Sequence, residues 1–393
     1  MGLYNQMVKI LSQLMAFTFI TEILLSWKLW FPVDREFPMM SALSWFDFSV
    51  GIVGDGFLLF TLLIALIFIA IDKHRTFAIS ITLGCLVILV LEDITRFQPW
   101  VYTQGAILFL ISFNNRKREK AILSGVMFIV ASVYVWSGIQ KFNLIFFRET
   151  FPWLLSAFGI DIRIDSKHAY DILNYLVAVI PLIEVSIGLF LLFTRTRKIG
   201  IITGLLMHSF IILSLGPSGH NWNIIIWSWN LCLMLFLVLY YSSRMNINIT
   251  EGIKSFRINY IVLTLFGLMP TLNFIGYWDD YLSGVLYSGS NDRVVFYMDT
   301  IDEPELTKSR KTVTINNEGC STYKINFIGW SIYDLRVPFY PANRYYNSFG
   351  RILCKKTKNQ IQSGIEITTR SKFTGNKIIT RCSCRELLEF ENQ

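Results

Sequence analysis

The chain has 393 residues, of which 53% are hydrophobic and only 16% are charged, and its mean hydropathy is +0.46. This composition excludes an ordinary soluble globular protein and is typical of a multi-pass membrane protein. The net charge of +8 is carried largely by short loops between apolar segments, so it does not indicate a nucleic-acid-binding surface.

Nine apolar runs are candidates for helices that cross the hydrocarbon core of a bilayer. The first run follows a short head containing Lys9 and has no small-residue cleavage site after it, so we expect a retained anchor and not a signal peptide. The predicted spans are about 10–27, 53–71, 77–95, 100–113, 121–141, 171–194, 199–216, 222–241 and 258–276.

Lysine and arginine are concentrated in every second connection between these runs, and loops of that kind stay in the cytoplasm. The alternation predicts nine crossings of the inner (plasma) membrane, with the N-terminus inside and the C-terminus outside. The basic loops contain Lys73, His74 and Arg75; Arg116, Lys117, Arg118 and Lys120; Arg195, Arg197 and Lys198; and Arg244, Lys254 and Arg257.

The composition changes near Tyr277, where charged residues become frequent and short β-type runs begin. We therefore divide the chain into a mostly α, polytopic helical bundle at 1–276 and a small exported β-rich domain at 277–393. The stretch 323–335 fits either a strand or a helix, and the prolines after it end whichever forms. The β-type runs are 293–298, 312–316, 365–369 and 377–380.

Four of the six cysteines lie in this C-terminal part of the chain: Cys320, Cys354, Cys382 and Cys384. On the oxidising side of a membrane, such a set predicts up to two disulfides, and three pairings are open. The alternative is that Cys382 and Cys384, separated only by Ser383, form a metal or redox pair.

The ionisable and amide side chains within or beside the apolar runs are the main functional clue, because a charge inside a membrane is costly. The predicted threading places nearly all of them toward the exterior face, which indicates a polar pocket in the outer leaflet. Their mixed signs allow mutual pairing. The candidate residues are Glu22, Glu92, Asp93, Arg96, Tyr134, Lys141, Glu184, His208, His220, Asn223, Trp227 and Asn230.

Lys141 has the most specific local pattern. Tyr134, Gly138 and Lys141 are spaced to lie on one helical face, so that a small residue makes room beside an amine near the outer hydrocarbon boundary. Desolvation there favours the neutral amine, which can act as a general base or nucleophile. The alternative is a lysine that extends into the lipid headgroups at the end of its helix.

Other candidates also have structural alternatives. Glu184 lies in mid-span three residues after Pro181 and could either line a polar cavity or be a protonated carboxyl bonded to a neighbouring helix. His208 fits a proton carrier or an ordinary core histidine. Glu92 and Arg96 are four residues apart, a spacing that also favours a structural ion pair.

The tryptophans of the eighth run, including Trp227, could stack on a flat ring such as a quinone, although tryptophan is also common at any membrane interface. The histidines do not form a His-x-x-x-His or Glu-x-x-His pattern. We therefore predict no dedicated metal site.

Residues 134–143, YVWSGIQKFN, resemble the Tyr-x-x-small-Gly-x-x-Lys-apolar signature of the vitamin K-dependent gamma-carboxylase-like membrane proteins, also called the horizontally transferred transmembrane domain superfamily. The resemblance covers about 10–276 and is to a bacterial branch of that superfamily. It implies that Lys141 is the catalytic base that deprotonates a quinol, as in a gamma-carboxylase-like lyase or oxidoreductase. The family's Asn-Asn-His-x-Tyr segment is not matched, since Asn114-Asn115 precede Arg116, which weakens the expectation of glutamate carboxylation itself.

Two hypotheses of different classes follow. In the first, the protein is an outer-leaflet enzyme in which Lys141 removes a proton, Glu184 or His208 relays it, and an exported peptide or a lipid is modified. In the second, it is a non-catalytic subunit of an envelope secretion or assembly complex, and its partners are other membrane or envelope proteins. In both, the lipid bilayer surrounds the helical bundle.

Overall fold

The computed structural model describes residues 2–43, 48–161, 167–243, 245, 247–298, 312–317, 320–357, 361–371, 374 and 376–389. At 167–176, 312–317 and 320–323 it describes the backbone only. The described chain is mostly helical and ends in a small mixed region of strands and helices.

The helices of the N-terminal part are long and apolar, and they are joined by short connections. They are α1 (Leu3–Leu25), α2 (Trp27–Trp30), α3 (Gly51–Ala70), α4 (Arg75–Glu92), α5 (Pro99–Ser112), α6 (Glu119–Gln140), α7 (Phe151–Ser156), α8 (Lys167–Leu192), α9 (Arg197–Leu215), α10 (Ile224–Ser242), α11 (Ile249–Ser255) and α12 (Ile258–Val262).

Seven helical segments among the described residues are long and apolar enough to cross a membrane: α1, α3, α4, α6, α9, α10 and the stretch Ile258–Ile275. The prediction of a multi-pass membrane protein is therefore confirmed by the length and composition of these helices. The other two predicted spans correspond to α5, which has only 14 residues, and α8, whose described apolar part is Val177–Leu192. At a rise of about 1.5 Å per residue, α5 alone falls short of the hydrocarbon thickness.

The last apolar segment is not a uniform α-helix. After α12 it continues as a π-helix at Leu263–Leu268 and a 3-10 helix at Met269–Ile275. Pro270 lies in this second part and removes a backbone donor, so the regular hydrogen-bond pattern cannot continue through it. A second π-helix, Phe146–Thr150, precedes α7.

The C-terminal region contains one antiparallel sheet of five strands: β1 (Arg293–Met298), β2 (Thr312–Asn317), β3 (Cys320–Asn326), β4 (Gly364–Arg370) and β5 (Lys377–Ser383). Their order across the sheet is β2-β3-β1-β4-β5. All four predicted β-type runs are confirmed as strands, with ends that differ by three residues at most. Phe296 of β1 lies opposite Ile325 on one side and Ile365 on the other, and these three side chains are buried.

The ambiguous stretch 323–335 is half strand and half helix. β3 ends at Asn326, whose side chain accepts a hydrogen bond from Gly329 N and caps the following helix α13 (Phe327–Leu335). Two more helices complete the region, α14 (Asn343–Cys354) and α15 (Cys384–Glu389).

The C-terminal region packs directly on one end of the helical bundle. Phe37, from the connection between α2 and α3, stacks on Phe349 of α14 at 4.7 Å between ring centroids. Asp334 of α13 accepts hydrogen bonds from the backbone N–H groups of Glu36 and Phe37 at 2.8 and 2.7 Å, and it pairs with Lys28 at 3.1 Å. The C-terminal region therefore lies at the end of the bundle where α1 has its C-terminus.

One disulfide links described cysteines. Cys354 of α14 is bonded to Cys384 of α15, and both are fully buried. Cys382 carries a free thiol, so the structure does not form a Cys382–Cys384 pair. The side chain of Cys320 lies outside the described residues.

Candidate functional site

A mainly apolar cavity of about 470 Å³ lies between α6, α8, α9 and α10, and we call it the lysine cavity. The segment after the last apolar helix closes one side of it through Tyr281, Leu286 and Tyr287. Its size and its few polar groups match those of ordinary ligand-binding cavities. The polar side chains that line it include Ser132, Tyr134, Ser137, Lys141, Glu184, Thr203, His208 and Asn230.

One face of α6 and its C-terminal cap position the amine of Lys141 at the cavity. Tyr134, Ser137 and Lys141 line the cavity, and Gly138 lies against α8. A Cβ added to Gly138 would lie 2.8 Å from both Pro181 O and Val185 N. The glycine therefore lets the two helices approach closely enough to bring Glu184 to the end of α6.

Lys141, which caps the C-terminus of α6, is held by two partners. Its Nζ donates to the carboxylate of Glu184 at 2.9 Å for Oε1 and 2.8 Å for Oε2, and to Ser137 Oγ at 2.5 Å. The Lys141 and Glu184 side chains are only 12% and 9% exposed. The pair is thus a nearly buried proton donor and acceptor inside an apolar cavity, and Lys141 does not extend away from the bundle.

A hydrogen-bonded chain of three side chains links α6, α9 and α10 in the wall of the cavity. Tyr134 OH lies 2.5 Å from His208 Nε2, and His208 Nδ1 lies 2.7 Å from Asn230 Oδ1. Asn230 Nδ2 donates to Ile226 O at 2.7 Å, so its Oδ1 must accept from His208. A neutral His208 then accepts the Tyr134 proton at Nε2. Glu184 lines the same cavity as Tyr134 and His208.

Aromatic side chains from two irregular helices form further walls. Phe146 and Phe266 belong to the two π-helices and line the cavity. Phe266 stacks on Tyr102 at 4.6 Å between centroids, and Trp136 Nε1 donates to Phe266 O at 2.9 Å. These π-helices place flat rings next to the polar groups, as such irregular turns commonly do at functional sites.

A second cavity of about 510 Å³ lies between the bundle and the C-terminal region, and we call it the junction cavity. Tyr281, Leu286 and Tyr287 line both cavities and separate them. His220 and Asn223 line the junction cavity. Both therefore lie outside the set that lines the lysine cavity.

Three contacts fix those residues in the junction cavity. The His220 ring stacks on Trp153 at 4.4 Å between centroids, and its Nε2 lies 2.6 Å from Trp153 O. Asn223 donates to Tyr287 OH at 3.3 Å. Trp227 lines neither cavity, and its Nε1 donates to Leu215 O at 2.8 Å.

Arg96 forms a separate ion cluster. Its guanidinium is fully buried and pairs with Asp55 at 2.8 Å and with Glu92 at 2.9 Å, and it also donates to Leu29 O at 2.9 Å. Glu92 accepts in addition from Val50 N at 2.8 Å. One guanidinium thus bridges two carboxylates, and all three groups are paired within the protein, which is the arrangement of a structural cluster.

Asp93 and Glu22 have their own partners. Asp93 pairs with Arg35 at 2.6 Å and accepts from Thr95 N at 3.0 Å. Glu22 is fully buried and accepts from Gln104 Nε2 at 2.8 Å, while its Oε1 has no hydrogen-bond partner in the described part of the chain. The predicted set is therefore divided among the lysine cavity, the junction cavity, the Arg96 cluster, the Asp93–Arg35 pair and the Glu22–Gln104 pair, and Trp227 belongs to none of these.

Ser137, Trp136 and Phe266 line the lysine cavity but are not among the residues predicted for the site. Trp229, one of the tryptophans of the eighth run that were predicted to stack on a ring, also lines it. The spacing of Ser137 four residues before Lys141 was a usable signal, since it places the hydroxyl on the same helical face. The aromatic residues gave no comparable signal, because a span rich in aromatic residues does not show which ring faces inward.

No protein-family model, no curated protein and no solved structure matches this chain. The resemblance to the gamma-carboxylase-like proteins stays a prediction, and the geometry of the lysine cavity carries the functional conclusion.

Proposed function

We propose that the chain is an inner-membrane protein with nine crossings, an N-terminus inside the cell and an exported C-terminal region. Seven apolar helices and the alternation of basic loops support this topology. The connection that contacts the C-terminal region at Glu36 and Phe37 belongs to the less basic set, as an exterior loop should. The lysine cavity then lies in the outer half of the membrane.

Within this topology, the protein is a membrane-embedded enzyme whose base is Lys141. The observation that carries this proposal is the position of the Lys141–Glu184 pair inside the apolar cavity. Apolar surroundings disfavour charge on both partners, so a proton can pass between the amine and the carboxylate at low cost. Lys141 removes a proton from the substrate, and Glu184 holds the proton that the amine gives up.

The cavity fits a quinol, the reductant that the family resemblance implies. Phe266, Tyr102 and Trp229 offer flat faces on which a quinol ring can stack. Tyr134 donates its proton to His208, so its oxygen is free to accept a hydrogen bond from a hydroxyl. A bound quinol would supply reducing equivalents, while these residues orient its ring with a hydroxyl near Lys141.

The group that is modified belongs to an exported peptide or a lipid, which the junction cavity admits from the outside. The two cavities share Tyr281, Leu286 and Tyr287, so a molecule in the junction cavity lies one side chain away from the lysine cavity. Arg293 and Glu149 line the junction cavity and give it the polar character that the lysine cavity lacks.

A non-catalytic subunit of an envelope assembly complex is the second candidate, and the edge of the sheet favours it. β5 is an edge strand, and it exposes Ile378 and Ile379 by 66% and 58%. An exposed apolar edge strand is a ready template for pairing with another chain. In this case the Lys141–Glu184 pair only holds α6 against α8.

Two substitutions of Lys141 separate the candidates. Lys141→Arg keeps the positive charge and the pairing with Glu184 but removes a usable base, whereas Lys141→Ala removes both. The enzyme proposal predicts that neither variant complements a deletion strain, although the Arg variant accumulates normally on immunoblots. Full rescue by Lys141→Arg would overturn the role of Lys141 as a base and favour the subunit.

A further inference from the structure

Ser137 lies in a row with the two ionisable groups of the lysine cavity. Lys141 Nζ is 2.5 Å from Ser137 Oγ and 2.8 Å from Glu184 Oε2. The serine and lysine are one helical turn apart on α6, and the glutamate comes from α8. A hydroxyl, an amine and a carboxylate are therefore aligned, and all three line the cavity.

The hydroxyl of Ser137 differs from most hydroxyls on the helices of the bundle. Thr103, Thr203 and Ser209 donate to the carbonyl four residues earlier at 2.8, 2.8 and 2.9 Å, which is the usual way for such groups to be satisfied in a helix. Within the described residues, Ser137 Oγ donates to no carbonyl, and its hydrogen bond is the one that it accepts from Lys141 Nζ. Its proton is consequently free for chemistry in the cavity.

We propose that Ser137 is a nucleophile that accepts an acyl group from a lipid carboxylic ester, with Lys141 as its base and Glu184 as the group that orients the amine. This inference rests on the proposed role of Lys141 as a base. The order nucleophile, base and orienting group is that of serine acyl-transfer enzymes, in which lysine can replace histidine.

The surroundings of Ser137 favour an ester with a long apolar chain. Ile183 and Leu206 line the cavity and are also 44% and 66% exposed on the outside of the bundle. In a membrane, that outer surface faces lipid, so an acyl chain can enter from the bilayer between α8 and α9. The apolar lining then holds the chain while the ester carbonyl lies beside Ser137.

The reaction balances without a redox partner. Glu184 takes one proton from the ammonium of Lys141 and leaves a neutral amine. Ser137 Oγ bonds to the ester carbonyl carbon as its proton moves to that amine, the ester C–O bond breaks, and the departing alcohol takes the proton back. Water then cleaves the acyl-serine, releases the carboxylic acid and restores the hydroxyl of Ser137.

A fluorophosphonate probe tests this assignment on the full chain in lipid nanodiscs, because such probes bond covalently to activated serines. We expect an adduct that peptide mass spectrometry places on Ser137. Lys141→Arg should slow its formation by about a hundredfold, the usual contribution of a general base. The matched control is Ser124→Ala, which removes another hydroxyl of the same helix that donates to Lys120 O at 2.9 Å and does not line the cavity, and it should leave the labelling rate unchanged.

Absence of an adduct on Ser137 in the folded wild-type chain would overturn the assignment, and so would equal labelling rates in wild type and Lys141→Arg. A thermal unfolding curve of each variant shows that it is folded. Failure of this inference is distinct from failure of the proposed function. If Ser137→Ala restores the deletion strain fully and Lys141→Arg does not, Lys141 remains the base and Ser137 is not its nucleophile.

Discussion

Lys141 and Glu184 meet across the contact between α6 and α8, with the lysine Nζ 2.9 and 2.8 Å from the two carboxylate oxygens. The approach depends on Gly138, because any larger side chain there would collide with the backbone of α8 at Pro181 and Val185. The chemistry of the cavity and the packing of two helices thus depend on the same few residues.

Replacing one partner of this pair should cost more stability than replacing both. Glu184→Gln leaves the Lys141 amine in an apolar cavity without its counter-charge, and we expect a loss of about 3 kcal/mol. The double variant Lys141→Met with Glu184→Leu removes both charges and should recover most of that loss. Unfolding titrations in nanodiscs of the wild type, Lys141→Met, Glu184→Leu and the double variant measure the coupling of the two residues, and additive losses would contradict a direct pairing.

The glycine contact can be tested with a matched pair of substitutions. Gly138→Ala places a Cβ 2.8 Å from Pro181 O, and the resulting separation of α6 and α8 should cost about 1–3 kcal/mol. Gly84→Ala on α4 meets nothing within 4 Å and should be neutral or stabilise its helix by about 0.5–1 kcal/mol. Equal midpoints of the unfolding curves of the two variants would show that α6 and α8 are not in close contact at Gly138.

Arg96 should be needed for folding and not for chemistry. Arg96→Leu leaves Asp55 and Glu92 buried without a cation, so we expect a loss of about 3–5 kcal/mol and poor accumulation in the membrane. The fraction that folds should form the Ser137 adduct at the wild-type rate, since the cluster does not line the lysine cavity. A normally accumulating variant that labels slowly would instead place Arg96 in the functional site.

We expect the disulfide of the C-terminal region to join Cys354 and Cys384 and not to include Cys382. Mapping of peptides without reduction should link Cys354 to Cys384 and leave the Cys382 thiol open to alkylation. Replacing Cys354 and Cys384 together by serine should cost about 3–4 kcal/mol, the loop-closure entropy for a separation of 30 residues. A link that includes Cys382 would contradict the structure.

The sheet should lose stability in acid through Glu366 of β4. Burial raises the pKa of this carboxyl, but the hydrogen bonds from Lys324 and Arg381 outweigh burial and hold the pKa below 4.5. A carboxyl with a lowered pKa stabilises the folded state at neutral pH, and that contribution disappears as the pH falls from 4.5 through the native pKa.

Hydrogen exchange of the β4 and β5 amides against pH measures this effect. In the wild type, protection of these amides should decrease as the pH drops below 4.5. Glu366→Gln should flatten that part of the plot of protection against pH. The control is Glu389→Gln at the exposed end of α15, which should not change it. An identical acid response in the wild type and Glu366→Gln would contradict the assignment.

The local elements could largely be predicted from the sequence. The apolar helices follow from run length and hydropathy, and the strands follow from short β-type runs between polar turns. At 323–335 the two patterns meet, and the boundary at Asn326 depends on a single helix cap that periodicity does not reveal. α5 has the same 14 residues as its predicted run, 99–112 against 100–113, and it begins at Pro99, a residue that suits the first turn of a helix.

The pairing of distant charges could not be predicted. Lys141 and Glu184 are 43 residues apart, and Arg96 and Asp55 are 41 apart. Each pairing depends on how two helices are rotated about their own axes, which hydropathy determines poorly when all faces of a span are apolar. The spacing on α6 predicted the shared face of Tyr134, Gly138 and Lys141, but it gave no information on the helix opposite.

The most direct measurement is a cryo-EM map of the full chain in nanodiscs made with its native lipids. We expect non-protein density in the lysine cavity within roughly 3 Å of Lys141 Nζ or Ser137 Oγ, with Glu184 paired to the amine. A cavity closed by side chains, with Lys141 turned to the bilayer surface and Glu184 bonded to another helix, would contradict it.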